Sequence, residues 1–136
     1  MASGIYTTFK EYAGDATVDL DGHTFNVCLM TQTHAFAAAN SIWANVSANE
    51  IAGTGYTAGG LALGTVTWAA SGTSMKWTAA NASWASASFT AYHAVIIDDS
   101  HASKALGCSI DFGGAQTVSA GTFTIQWNAD GILLIT

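Results

Sequence analysis

At 136 residues the chain is sized for one domain, taken here as 1–136; half of it is hydrophobic and only 9% is charged, against roughly 25% in soluble domains. Nine acidic and three basic residues give a formal charge of −6, and Lys10, Lys76 and Lys104 stand far apart, which excludes the basic patch a nucleic-acid binder needs. No run approaches 18 uncharged apolar residues, and MASGIYTTFK has no basic region followed by an apolar one, so neither a membrane span nor a signal peptide is expected.

From the N-terminus, Ser3 is placed to cap a short helix over 3–13, with Ile5, Phe9 and Tyr12 on one face and Gly14 ending it. Such a helix would cover a sheet edge or face. Ala16–Leu20 and His23–Thr31 both suit strands joined by an Asp21-Gly22 turn, with Phe25, Val27 and Leu29 sharing one face. From Gln32 to Ala44 the periodicity weakens into a loop with a turn of helix, anchored by Ile42 and Trp43. Ser47 and Glu50 have capping-box spacing, but Gly53, Gly55, Gly59 and Gly60 follow so closely that only one helical turn is expected before a backbone-defined loop. That loop, GTGYTAGG, lacks the Lys of a P-loop and the following helix of a dinucleotide site, and reads as structural.

Leu61–Ala70, Met75–Ala80, Ala82–Ala87, Phe89–Ile97 and Ala105–Phe112 follow as strands, the last closed by Gly113-Gly114. In the final stretch Phe123, Ile125 and Trp127 alternate with polar residues. Asp130-Gly131 then supplies a tight turn and Ile132–Ile135 return, forming a hairpin placed in the central sheet. The expected fold is therefore all-β: an antiparallel β-sandwich or jelly-roll-like barrel of about eight or nine strands with a short N-terminal helix. A surface so poor in charge has weak repulsion between copies, so part of it is expected to be buried against other subunits.

Chemistry is harder to find. Asp19, Asp21 and His23 alternate and could approach a metal, as could Asp98, Asp99 and His101, yet both groups fall in turns where such residues are ordinary. His34 and His93 are isolated in sequence, with His93 read as packed within a strand. Cys28 and Cys108 are single residues on separate strands, read as buried thiols, with one disulfide as the other possibility; no zinc spacing occurs. There is no G-x-S-x-G elbow. Trp43, Trp68, Trp77 and Trp84 could line a sugar-binding surface but in a small β domain belong more often to core or interface. The sequence thus assigns no catalytic, cofactor-binding or metal-ligating residue, and no enzymatic activity.

Six segments, MASGIYTTFKEY, VDLDGHTFNVCLMT, VSANEIAGTGYTAGG, AYHAVIIDDS, CSIDFGG and FTIQWNADGILLIT, together resemble in that order a family of small tailed-bacteriophage virion structural proteins. They span nearly the whole chain, and VSANEIAGTGYTAGG and FTIQWNADGIL are the most specific. Departures concentrate in 32–45 and 65–88. The resemblance implies a component of the phage particle, assembled in the host cytoplasm. A capsid cement or decoration protein suits the composition, with the major capsid protein and copies of itself, as dimer or trimer, as partners. A tail or head–tail connector component, or a carbohydrate-binding module of a head or tail fibre, are the alternatives.

Overall fold

The computed structural model describes residues 3–136. It contains two antiparallel sheets and one helix, an all-β architecture compatible with a sandwich. The chain order is β1 (Gly4–Ile5), α1 (Thr7–Gly14), β2 (Phe25–Met30), β3 (Leu61–Ala62), β4 (Thr67–Ser71), β5 (Ser74–Thr78), β6 (Ala82–Asp98), β7 (Ala105–Ile125) and β8 (Leu133–Ile135). The larger sheet runs β1-β7-β6-β2-β3 and the smaller β4-β5-β8. The expected barrel closure does not occur. The larger sheet ends in two-residue strands, β1 on one side and β3 on the other, and these do not pair with each other.

Both sheets meet around Trp77. Its ring is fully buried, 4.8 Å edge-on from Phe25 of the larger sheet and 5.7 Å from Phe9 of α1. The indole Nε1–H donates to the Leu20 carbonyl at 2.8 Å. Phe25, Val27 and Leu29 are all fully buried, as their shared face requires, while Val95, Ile96 and Ile97 are buried whichever way they point. That continuous burial is what a strand covered on both faces shows.

Several expected elements differ. The helix begins at Thr7 rather than residue 3, because Gly4 and Ile5 pair with Ser109 and Cys108 of β7 instead. Ser3 does not cap it; its Oγ accepts the Asp111 N–H at 2.9 Å. Ala16–Leu20 forms no strand, since Asp15 Oδ1 accepts the Thr17 N–H at 2.9 Å and Ala16 sits at φ 67°, a turn conformation that cannot continue a ladder. Val18 and Leu20 are still buried. The Ala82–Ala87 and Phe89–Ile97 runs are one strand. So are Ala105–Phe112 and the residues up to Ile125, with Gly113 and Gly114 at φ 79° and 154° inside β7 rather than ending it.

The terminal hairpin is corrected most sharply. The turn at Asp130-Gly131 exists, with the Gly131 N–H donating to the Asn128 carbonyl at 2.8 Å. It leads into β8, which pairs Leu133 with Trp77 and Ile135 with Met75 of β5, so the last strand lies in the smaller sheet. Gly131 is at φ 82°, and a Cβ there would lie 2.5 Å from the Trp77 carbonyl oxygen. The turn is thus seated on β5 by a contact that only glycine allows.

Candidate functional site

Neither acid–histidine cluster assembles as the sequence grouped it. Asp19 closes its own turn, Oδ1 accepting the Gly22 N–H at 3.0 Å and the Asp21 N–H at 3.4 Å. Hydrogen bonding with Asp21, then with Gly22, holds its carboxyl below the usual range. His23 instead crosses to the second cluster, its Nδ1 2.6 Å from Oδ2 of the wholly buried Asp98. The other Asp98 oxygen accepts the Ser100 and His101 amides at 3.0 and 3.3 Å. Asp99 pairs with Lys104, and His101 stacks on Tyr12 with Nδ1 accepting the Ser103 N–H at 3.2 Å. Asp98, Asp99 and Lys104 hold the β6–β7 turn, and His23 ties it to the chain just before β2. Among the described residues no three His, Cys, Asp or Glu converge in a group suited to an ion.

The two histidines that look isolated in sequence do meet. Antiparallel pairing of β6 with β7 sets His93 opposite Asp111, and the loop after β2 places His34 against both strands. The imidazole centroids of His34 and His93 are 5.2 Å apart, His34 Nε2 is 3.0 Å from Ser109 Oγ, and His93 Nδ1 is 3.8 Å from Asp111 Oδ1. The Tyr6 hydroxyl lies beside Ser109 without reaching hydrogen-bond geometry, and among the described residues neither it nor the buried His34 Nδ1 has a hydrogen-bond partner. Burial, then the neighbouring His93, push the His34 imidazole down to about 4, and burial pushes the Tyr6 phenol up to about 12. A Ser–His contact is the start of a nucleophilic pair, but Ser109 is 2% exposed and His34 1%. No substrate reaches them. His93 and Asp111, by contrast, line an open cavity of about 380 Å³ together with Gln32 and Tyr92.

Cys28 and Cys108 are free thiols, both buried, so the disulfide alternative is not realised. Burial drives the Cys28 thiol far above its ordinary value and the Cys108 thiol to about 12, which leaves almost no thiolate to react.

The glycine loop is structural. Glu50 does not cap the turn over 47–49; its Oε1 accepts the Tyr56 hydroxyl at 2.8 Å and the Gly59 N–H at 2.7 Å. Tyr56 Oη in turn accepts the Leu29 N–H at 3.0 Å. This clamp lays the loop over one face of β6. A Cβ on Gly53 would lie 2.8 Å from that of Phe89, and one on Gly55 2.9 Å from Ala87 Cα. Tyr56, Trp84, Phe89 and Phe123 form an aromatic cluster beneath, with centroids 5.2 to 6.5 Å apart.

What remains accessible are surfaces. One is the far half of the β6–β7 hairpin, where Ser83, Thr90, Thr117 and Thr124 are exposed and their hydroxyls pair across strands at 2.9 to 3.0 Å. No Asp, Glu, Lys or Arg occurs from Trp77 to Ile97 or from Phe112 to Ala129. A groove of about 590 Å³ opens beside β7 here, walled by Phe112, Phe123, Trp127 and Ile132. The second surface is a groove of about 700 Å³ between α1 and β8, lined by Phe9, Leu20, Trp68 and Leu133 and rimmed by Leu134 and Ile135, 37% and 51% exposed. Sequence reasoning anticipated that uncharged surface would exist. The signal for its location, two long charge-free segments, was present but becomes a surface only once β6 and β7 pair.

Comparison with family models, with curated proteins and with solved structures gave no match to this chain. The segments quoted above therefore carry the family resemblance by themselves.

Proposed function

We propose that this chain is a non-enzymatic structural subunit of a tailed-phage virion, acting on the head as a capsid cement or decoration protein. The observation that carries the reading is the uncharged outer half of the β6–β7 hairpin, an extended surface with no reactive group and no charge to limit close approach. The motif resemblance supports the same conclusion independently. The indoles favour assembly over sugar stacking: Trp77 and Trp84 are buried, and Trp43, Trp68 and Trp127 are half-buried. The reading uses a sandwich, with Trp77 linking the sheets, and does not depend on a jelly-roll strand order.

Such a subunit works by mass action. Bound across capsomer seams, it stabilises the assembled shell by RT ln(1 + [L]/Kd), about 2.7 kcal/mol at a hundredfold excess over Kd. The β7 edge and the rim of α1 with Leu134 and Ile135 supply docking elements towards the major capsid protein or a neighbouring copy. Recombinant protein mixed with purified mature shells should co-sediment saturably, at a copy number commensurate with shell symmetry. No co-sedimentation, together with absence of its peptides from purified particles, would overturn the proposal. Peptides confined to purified tails would move the chain to the tail or connector.

A further inference from the structure

We propose that two copies of this chain join edge to edge through the outer half of β7, antiparallel about a twofold axis close to Thr117, merging their larger sheets into one. The inference rests on the reading of the chain as an assembly subunit.

On one side β7 is paired to β6 from Ala105 with Asp98 to Ile125 with Ala82, with register shifts at four points. On its other side, among the described residues, the partner strand is β1, which reaches only Cys108 and Ser109. Among the described residues no strand covers β7 beyond the Ser3 contact at Asp111. An open edge is ordinarily blocked by charged side chains, by Pro, by bulges or by being short. Here the chain contains no proline and β7 carries no charge after Asp111. Its interruptions are local: Gly113-Gly114, and a bulge at Ala120 (φ 48°) whose N–H donates to Ser88 Oγ at 2.9 Å. Between them Gln116, Thr117 and Val118 hold regular register with Ala91, Thr90 and Phe89.

Charge selects the occupant. With −6 per chain, two copies repel over most of their surface and meet without that penalty where no charge is carried. A basic partner would be drawn to the exposed carboxylates of Asp15, Asp19 and Asp21, and this edge offers it nothing. A second copy matches the edge in neutrality, and antiparallel pairing about a twofold makes the contact self-complementary. The groove of Phe112, Phe123 and Trp127 lies alongside, with Ser3 at one end, so side chains of the incoming strand would cover apolar surface as the main chains pair.

The test measures mass in solution and cross-linking together. Wild-type protein should sediment at twice its 14.0 kDa chain mass. Thr117→Lys combined with Ser119→Lys, both at exposed positions, should raise the dimer Kd at least tenfold while leaving the circular dichroism spectrum unchanged. Thr117→Cys, close to the axis, should form an intermolecular disulfide under mild oxidation. Thr124→Cys should not, being seven residues away and about 46 Å from its copy in that register. A wild-type monomer, a three-chain mass, a dimer indifferent to the lysines, or cross-linking at 124 rather than 117 would each overturn the pairing. A monomer that still binds shells would remove this inference and leave the shell reading intact. A Thr117-linked dimer that ignores shells would do the reverse.

Discussion

Replacing Trp77 tests how the two sheets are held together. Trp77→Phe removes the donor to the Leu20 carbonyl, and leaving a buried acceptor unmet costs about 1–3 kcal/mol. It also shortens a ring that is fully buried between Phe9 and Phe25, opening a void that adds about 1 kcal/mol or more. The sum is about 2–4 kcal/mol. For a chain of this length each kcal/mol lowers Tm by roughly 3–5 °C, so the expected fall is about 6–20 °C by calorimetry. Trp68→Phe serves as the control. Trp68 is half-buried and no hydrogen bond of its indole N–H is seen, so its loss should cost less than about 1.5 kcal/mol. If Trp77→Phe melts within 2 °C of wild type, or if the two variants are indistinguishable, Trp77 is not the link between the sheets.

Four further outcomes follow from the same geometry. Because the His34 imidazole titrates near 4 when folded and near 6.5 when unfolded, the native state binds fewer protons between those values. Stability is then complete above pH 6.5 and falls as pH drops towards 4, by at most about 3 kcal/mol, which urea midpoints at pH 7.5 and 4.5 would show and His34→Phe would flatten. Tyr56→Phe removes the bonds to Glu50 and the Leu29 amide; it should cost about 1–3 kcal/mol and speed hydrogen exchange at Leu29 by NMR. Gly60→Ala should fail to fold stably, since Gly60 is at φ 82° and a Cβ would overlap the Val27 carbonyl, whereas Gly14→Ala meets open space and should be neutral or slightly stabilising in a thermal melt. In the native protein Cys28 and Cys108 should resist a thiol reagent for as long as the fold persists, both reacting once urea unfolds it.

The strands with strong alternation or continuous apolar character were legible: Phe25–Met30 and the inner halves of β6 and β7 fall where the pattern puts them. What escaped depended on partners distant in the chain. Gly113-Gly114 reads locally as a terminator, yet a glycine pair is equally a bulge when a long neighbouring strand holds register on both sides, as β6 does. Asp130-Gly131 announces a turn but not which strand receives the returning chain, and the seat against the Trp77 carbonyl decides that. Glu50 has the spacing of a cap, and a tyrosine six residues on outcompetes the cap for its carboxylate. His23 was grouped with Asp19 and Asp21 by proximity, while its closest partner, Asp98, comes from the end of another strand. His34 and His93 carried no sequence signal that they would meet. The assembly surface was visible only as composition, because absence of charge becomes an edge only after β6 and β7 have paired.

An averaged cryo-EM map of the virion that carries this chain tests the central claim most directly. Density for it is expected on the outer shell, bridging capsomers, with the β7 edge engaged and α1 and the β8 rim towards the shell. Shell density fully explained by other proteins, with no copy of this chain on the head, would contradict it.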